Sequence, residues 1–330
     1  MIIYIMKKLI IFFTIIISII IIGIIICYSL KSSFKNILQL NELITEDGIV
    51  NYLYNNKKCI FNTRKISNYK NFIKNDNYYT NIYICLTGNY KNIHNILPKI
   101  LKNIKSCTII TLEEDVIDVP QKILEDKRII HWFTWNKPYN HNKLSSLPIG
   151  LNYDRHYNSL KNVIDNKSIM NNIEKTHLVG LSYGSNNKQS ERVKLLNYVK
   201  NSNLKYNFIQ NIPYKKSYKI TTKHLHNQLK VDVSDEKIYK EMLPYKFIFS
   251  PKGAGEDCHR TWECLYLGII PIIKSSPLDD IYNDLPVLIV KDFELVTNNM
   301  LNKFYEDSKL KKYNYNKLYL EYWIKKILNE

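Results

Sequence analysis

The run from Leu9 to Leu30 carries no charge and is dominated by isoleucine, with Lys8 before it and Lys31 after it. A helix of about 20 apolar residues crosses the hydrocarbon core of a bilayer, so this run has the length of one span. Thr14, Ser18, Cys27, Tyr28 and Ser29 are its polar interruptions. A cleaved signal peptide would show an apolar stretch of roughly 7–15 residues and a small-residue cleavage site. This run is longer and has no A-x-A site, so it is expected to stay as a membrane anchor, and no second run of this kind occurs after it. Lys7 and Lys8 before it are balanced by Lys31 and Lys35 after it, so the positive-inside rule sets no orientation.

The chain beyond the anchor is long enough for two domains of ordinary size. A hydrophobic fraction of 45% supports real cores. The net charge is +17, from 47 Lys+Arg against 30 Asp+Glu. Such a balance suits nucleic acid, anionic membranes or phosphorylated ligands. Here the excess is almost all lysine in a chain also rich in Asn, Ile and Tyr, and it reads as solvated surface. No arginine-rich cluster occurs, so a nucleic-acid partner is not expected. Arginine stands at Arg64, Arg128, Arg155, Arg192 and Arg260, and a lysine-biased chain keeps arginine where a bidentate fork is needed. Outside the anchor the cysteines are odd in number and widely spaced, with no C-x-x-C pair, so neither zinc nor a redox motif is signalled. Cys258 and Cys264 read as buried thiols. The sequon Asn166-Lys167-Ser168 is compatible with a lumenal location.

The pattern along the chain divides it into a tail (1–8), the anchor (9–30), a polar Asn- and Lys-rich stem (31–78), an α/β domain (79–170), a second α/β domain (171–312) and a C-terminal helix (313–330). Apolar runs at Ile82–Leu86, Cys107–Leu112 and Ile129–Trp135 predict strands. Ile93, Ile96, Leu97, Ile100, Leu101 and Ile104 recur at helical spacing between the first two. Alternation of strand and helix is the grammar of a parallel sheet. Leu147–His156 has no period and predicts an ordered crossover. The grammar restarts with a strand at His177–Tyr183 and a helix at Ser190–Lys200, Ser190 being its N-cap. A Ser-capped helix from Ser234 to about Met242 comes next, with strands at Lys246–Phe249, Ile269–Ile273 and Val287–Val290. Cys258–Leu267 predicts a helix that Gly268 ends, and Tyr315–Leu328 a final one. The expected fold is α/β, with two such domains facing across a cleft.

The stretch from Phe247 to Lys274 is the most informative. A strand enters a glycine-containing loop that opens a helix, and ligands of open α/β sheets bind beyond the carboxyl ends of the strands. Free N–H groups and the positive end of a helix there suit phosphate. Gly253 and Gly255 allow close backbone approach. His259 and Arg260 sit in the first helical turn, where cations oppose the helix dipole unless an anion is present. Glu263 shares a face with Arg260 at i+3, placed to accept from ribose hydroxyls. The loop fits neither G-x-G-x-x-G nor the P-loop pattern.

Ser250-Pro-Lys-Gly-Ala-Gly-Glu-Asp-Cys-His-Arg-Thr-Trp-Glu263, and then Leu267-Gly-Ile-Ile-Pro-Ile-Ile-Lys-Ser-Ser-Pro-Leu278, resembles the donor-binding region of exostosin-like glycosyltransferases. Leu285-Pro-Val-Leu-Ile-Val290 and Leu147-Pro-Ile-Gly-Leu151 extend the resemblance. It implies a GT-B fold of two Rossmann-like domains, a UDP- or GDP-sugar as donor substrate with no further cofactor and no metal, a glycan or glycoprotein acceptor, and type II topology with the catalytic domain in a Golgi- or ER-like lumen. Carried onto this chain, Arg260 and Lys252 face the diphosphate and Glu263 the ribose. Arg192 holds the place of a second phosphate-binding cation. Ser250, Gly253, Gly255, Asp257 and His259 complete the expected donor set.

Candidates for a catalytic base are Glu114, within Glu113-Glu114-Asp115 at a strand's carboxyl end, and Asp154 beside His156 in the crossover. Asp279-Asp280 lacks the spacing of a metal-binding D-x-D pair. His224 and His226 alternate with Leu225 and have no evident third ligand. Trp132, Trp135 and Tyr139 read as sugar-stacking or core aromatics. The rival functions are a non-catalytic, membrane-tethered carbohydrate-binding protein and a basic nucleic-acid binder.

Overall fold

A computed structural model describes residues 43–45, 48–55, 59–62, 78–87, 93–112, 115, 118–152, 156–182, 191–209 and 235–329. The anchor at 9–30, Glu114, Asp154, His224 and His226 lie outside the described residues. Among the described residues no helix is long and apolar enough to cross a membrane.

The described residues build two five-stranded parallel sheets. In the first, β1 (Cys59–Asn62), β2 (Ile82–Thr87), β3 (Cys107–Leu112), β4 (Ile129–Thr134) and β5 (Leu144–Ser146) lie in chain order. The register sets Ile84 beside Ile109 and Ile110 beside Phe133. Ile82, Ile84, Cys85 and Leu86 of β2 and Cys107, Ile109, Ile110 and Leu112 of β3 are buried, so these inner strands are covered on both faces. The second sheet holds β6 (His177–Leu181), β7 (Tyr206–Phe208), β8 (Tyr245–Phe249), β9 (Ile270–Lys274) and β10 (Leu288–Val290) in the order β10-β9-β8-β6-β7. The chain steps outward from β6 to β7, then returns across β6 to β8. Strand order therefore reverses between β6 and β8, and such a reversal opens a crevice at the carboxyl ends of the two strands.

Side chains alternate across the second sheet with period two. Phe247, Phe249, Ile270, Ile272, Leu288 and Val290 enter one core. Ile248, Ile269 and Ile273 enter the other, which runs without a break into the first unit. Helix Tyr157–Asp165 contributes Tyr157, Leu160 and Val163 to that shared core, and helix Asp235–Met242 contributes Tyr239 and Met242. Helix His259–Tyr266 ends in a paired cap: Gly268 N–H donates to Leu265 O at 3.2 Å and Ile269 N–H to Cys264 O at 2.9 Å. Gly268 has φ +63, the left-handed conformation this cap needs.

Three expectations change. The first unit begins inside the segment expected as stem. Ile49, Val50 and Leu53 of helix Gly48–Asn55 are buried and join the first core, and β1 pairs with β2 in the first sheet. The final helix is not continuous from Tyr315: a 3₁₀ turn at Tyr315–Leu318 precedes helix Leu320–Leu328. Tyr319 is extended between them because it bridges Leu43 across the fold. That last helix also belongs to the first unit: Leu320, Trp323, Ile324 and Ile327 form its buried stripe, and Tyr83 Oη donates to Ile327 O at 3.4 Å. Tyr266 ties the ends together, accepting from Ile44 N–H at 2.9 Å and donating to Leu318 O at 2.6 Å.

Candidate functional site

Loop Ser250–Cys258 leaves the carboxyl end of β8 at the point of strand reversal. Ser250 N–H prolongs the pairing with β9 by donating to Ile272 O at 2.9 Å, and its buried hydroxyl lies 2.9 Å from that of Thr261. Gly253 N–H donates to Gly255 O at 3.2 Å, folding the loop on itself. Gly255 is buried, and a Cβ there would lie 2.5 Å from Asn136 Nδ2 and 3.0 Å from Asp115 O. The loop thus touches segments that leave the carboxyl ends of β3 and β4 in the first sheet.

Helix Glu191–Asn201 starts beside this loop. Arg192 Nε donates to Lys252 O at 3.1 Å, and Lys252 N–H donates to Glu191 Oε1 at 3.1 Å. Lys252 Nζ reaches Glu256 at 2.6 Å, and this bond holds its ammonium pKa above the usual lysine value. Lys274, at the end of β9, stands 3.2 Å from Asp292 and 3.9 Å from Glu191. Lys252 within the glycine loop and Arg192 and Lys274 beside it thus gather three cations, and a polyanionic group there would compete with Glu256, Glu191 and Asp292 for the two lysines.

Asp257 has a different position. It is 3% exposed, and its carboxylate accepts from Ile149 N–H at 2.8 Å, Tyr282 Oη at 2.6 Å and Trp262 Nε1 at 3.0 Å. Its own N–H donates to Asn136 Oδ1 at 2.8 Å. Asn136 takes the left-handed conformation, φ 43, to present that oxygen. Burial pushes the Asp257 carboxyl pKa up against the opposing pull of these donors. The residue joins the two units and has no oxygen left over for a ligand.

His259 adds to the same junction. Its Nδ1 lies 2.8 Å from Gly150 O, and because a carbonyl can only accept, Nδ1 carries the hydrogen. Arg260 and Glu263 do meet on one helical face, at 2.9 Å. Glu263, with 4% of its side chain exposed, also accepts from Tyr239 Oη at 3.0 Å, so both oxygens are occupied. Arg260 Nη1 further lies 2.9 Å from Met242 Sδ. A ribose contact by Glu263 requires displacement of one of these partners.

The remaining candidates sit apart. Trp132 and Trp135 are core residues, 0% and 3% exposed, and Tyr139 Oη donates to Val119 O at 2.7 Å. Asp279 accepts from Ser275 Oγ at 2.6 Å, and Asp280 pairs with the buried Lys137 at 3.0 Å. No group of His, Cys, Asp and Glu able to hold a metal occurs among the described residues. Cys264 is a buried free thiol and Cys258 a half-buried one, and burial pushes both pKa values up to about 12. Cys85 is disulfide-bonded. A groove of about 520 Å³ at the β10 edge is lined by Leu288, Val290, Leu295, Met300 and Phe304 together with Lys291, Lys303 and Asp307, and no residue of the glycine loop lines it.

The sequence pattern did not single out Asn136, Lys137, Tyr239 or Tyr282, whose roles arise from tertiary contact alone. It also passed over His94 and Asp118, which meet at 2.5 Å at the carboxyl edge of the first sheet. A histidine opening a helix just past a strand was the available signal. No protein-family model matches this chain, and no curated protein matches it.

Proposed function

We propose that this chain is a membrane-anchored glycosyltransferase of exostosin-like type, moving a sugar from a UDP- or GDP-linked donor to a glycan or glycoprotein acceptor. The observation that carries the reading is the contact of Arg192 with Lys252 over the glycine loop, at the strand reversal between β6 and β8. In this reading the two parallel sheets are the halves of a GT-B arrangement. Arg192, Lys252 and Lys274 neutralise the leaving diphosphate, and the backbone at Gly253–Gly255 lets it approach. Cations fixed where charge develops stabilise a transition state without reorganisation. Asp257 and His259 hold the loop against the first unit, and Arg260 with Glu263 stiffens the helix behind it. The run Leu9–Leu30 supplies the anchor, with the sheets in a Golgi- or ER-like lumen. The disulfide at Cys85 favours such an oxidising compartment.

Calorimetric titration of the full-length chain in detergent with UDP and GDP tests the reading. Loss of one charge-assisted phosphate contact costs about 1.5–3 kcal/mol, so Arg192→Ala and Lys252→Ala are each expected to weaken binding roughly tenfold or more. Absence of binding to both nucleotides, or unchanged binding in both variants, overturns it. Protease protection of the C-terminal end tests the topology separately.

A further inference from the structure

We infer that His94 is the general base that takes the proton from the acceptor hydroxyl, with Asp118 as its positioning residue; this rests on the transferase reading. His94 lies in the first turn of helix Ile93–Ile100, just past β2, and Asp118 lies in the segment just past β3. Both therefore stand at the carboxyl edge of the first sheet. His94 Nε2 and Asp118 Oδ2 are 2.5 Å apart, joining the start of that helix to the segment after β3 across 24 positions. An ionised carboxylate only accepts, so Nε2 carries a hydrogen, and in the neutral ring the lone pair then falls on Nδ1. Nδ1 has no partner among the described residues, and 53% of the His94 side chain is open to solvent. An imidazole fixed in one tautomer by a carboxylate, with its other nitrogen bare, is the arrangement of an oriented base.

A contact further along the same edge ties it to the glycine loop. The carbonyl of Asp115 lies against Gly255 of the glycine loop. Asp118 is three residues further, a span of at most about 11 Å of extended chain. Through Asp118, His94 is thus tethered to the segment of the first unit that meets the glycine loop, the loop that Arg192 and Lys252 share in the second. His131, whose Nε2 lies 2.8 Å from Ser145 Oγ, sits within β4 and not beyond its carboxyl end.

In the transfer step the acceptor O–H bond breaks and its proton passes to His94 Nδ1. The freed electron pair forms the new bond to the anomeric carbon. The bond from that carbon to the diphosphate oxygen breaks, and the nucleoside diphosphate leaves with that pair. Attack from the side opposite the diphosphate inverts the anomeric centre.

The test measures release of UDP or GDP from a panel of UDP- and GDP-sugars by the full-length chain, with water or p-nitrophenyl glycosides as acceptor. His94→Ala and His94→Gln are expected to lose roughly 100-fold or more in rate, with Kd for UDP or GDP unchanged. Added imidazole is expected to restore part of the rate in His94→Ala. Asp118→Asn is expected to lower the rate with no change in Kd. An unchanged rate in both His94 variants overturns the assignment and leaves the transferase reading standing. Loss without imidazole rescue, or with weakened nucleotide binding, overturns it in favour of a structural role. A wild type that binds neither nucleotide, or binds without turning over any sugar, overturns the transferase reading itself.

Discussion

The carboxylate of Asp257 accepts the backbone N–H of Ile149 at 2.8 Å, across 108 positions of sequence and from one sheet's unit to the other. Tyr282 and Trp262 donate to the same carboxylate, so one side chain serves three donors in a site 3% exposed. The neighbouring Gly150 O receives the His259 imidazole at 2.8 Å. The segment Leu147–Leu151 is thereby a strap that fastens the glycine loop to the first unit.

Asp257→Ala strands these donors, and each buried unpaired donor costs about 1–3 kcal/mol. A total loss of about 3–6 kcal/mol is expected from the urea midpoint, with a smaller loss in Asp257→Asn, which keeps one acceptor oxygen. Burial raises the native carboxyl pKa above its ordinary 3.8. Between those values the folded chain holds a proton that the unfolded chain has released. The group's contribution is therefore full below the ordinary value and declines as pH rises through the elevated one. Unfolding midpoints of wild type minus Asp257→Asn, taken from about pH 4 upward, are expected to fall along this course.

Much of the scaffold is legible in the sequence, and the reason is burial. Strand β3 is a largely apolar run because both faces of an inner parallel strand are covered, and β4 is read from its buried Ile129, Trp132 and Phe133 although Ile130 is exposed. Helix Asn298–Leu310 is hard to read because its apolar face is short: Leu301, Phe304 and Tyr305 pack on the core, and only Leu301 is fully buried. Strands β5 and β7 have three residues each, too few to establish alternation. The glycine loop and Arg192 are legible through residue type, because glycine and arginine are scarce in this lysine-rich chain. The burial of Asp257 is not, since Ile149 and Tyr282 reach it only after the chain has folded.

Lys175 Nζ donates to Leu243 O at 2.7 Å and to Leu267 O at 3.3 Å, capping the carboxyl ends of helices Asp235–Met242 and His259–Tyr266 together. Burial pushes its pKa down to about 8 from 10.5, with the Cys264 thiol opposing. Between these values the unfolded chain keeps a proton that the folded chain has lost, so this group's contribution to stability rises with pH. Lys175→Met removes both the caps and this dependence. The difference in urea midpoint, wild type minus Lys175→Met, is expected to grow from about pH 8 to 10.

Lys137 and Asp280 join the units by a second route. The Lys137 side chain is 6% exposed and that of Asp280 is 41%, at 3.0 Å. Lys326 is also within electrostatic range, its pKa lowered by burial and by Lys137 but supported by Asp280. Asp280→Asn leaves two lysines facing each other, at a cost expected on the order of 1–2 kcal/mol after solvent screening. Adding Lys137→Met relieves that repulsion. A double-mutant cycle read by thermal unfolding is expected to give a double variant more stable than the sum of the single changes.

Gly150 and Gly268 share one backbone conformation, φ +64 and φ +63, and differ in what surrounds them. A Cβ at Gly150 would lie 2.4 Å from Ile44 O and 2.6 Å from Ile44 Cγ2, inside a junction that also holds Ile149 and Leu151. A Cβ at Gly268 meets nothing within 4 Å. Gly268→Ala is therefore expected to cost the left-handed strain alone, about 1 kcal/mol. Gly150→Ala adds an overlap with backbone that a rotamer change cannot relieve, and a loss of about 2–4 kcal/mol is expected. Because Gly150 O receives His259 at the base of the glycine loop, the same change is expected to weaken nucleotide binding, while Gly268→Ala leaves it intact. Calorimetry of UDP and GDP on both variants, beside their melting temperatures, separates the two effects. Equal losses of stability at the two glycines would mean that the strap at Leu147–Leu151 does not fasten the loop to the first unit.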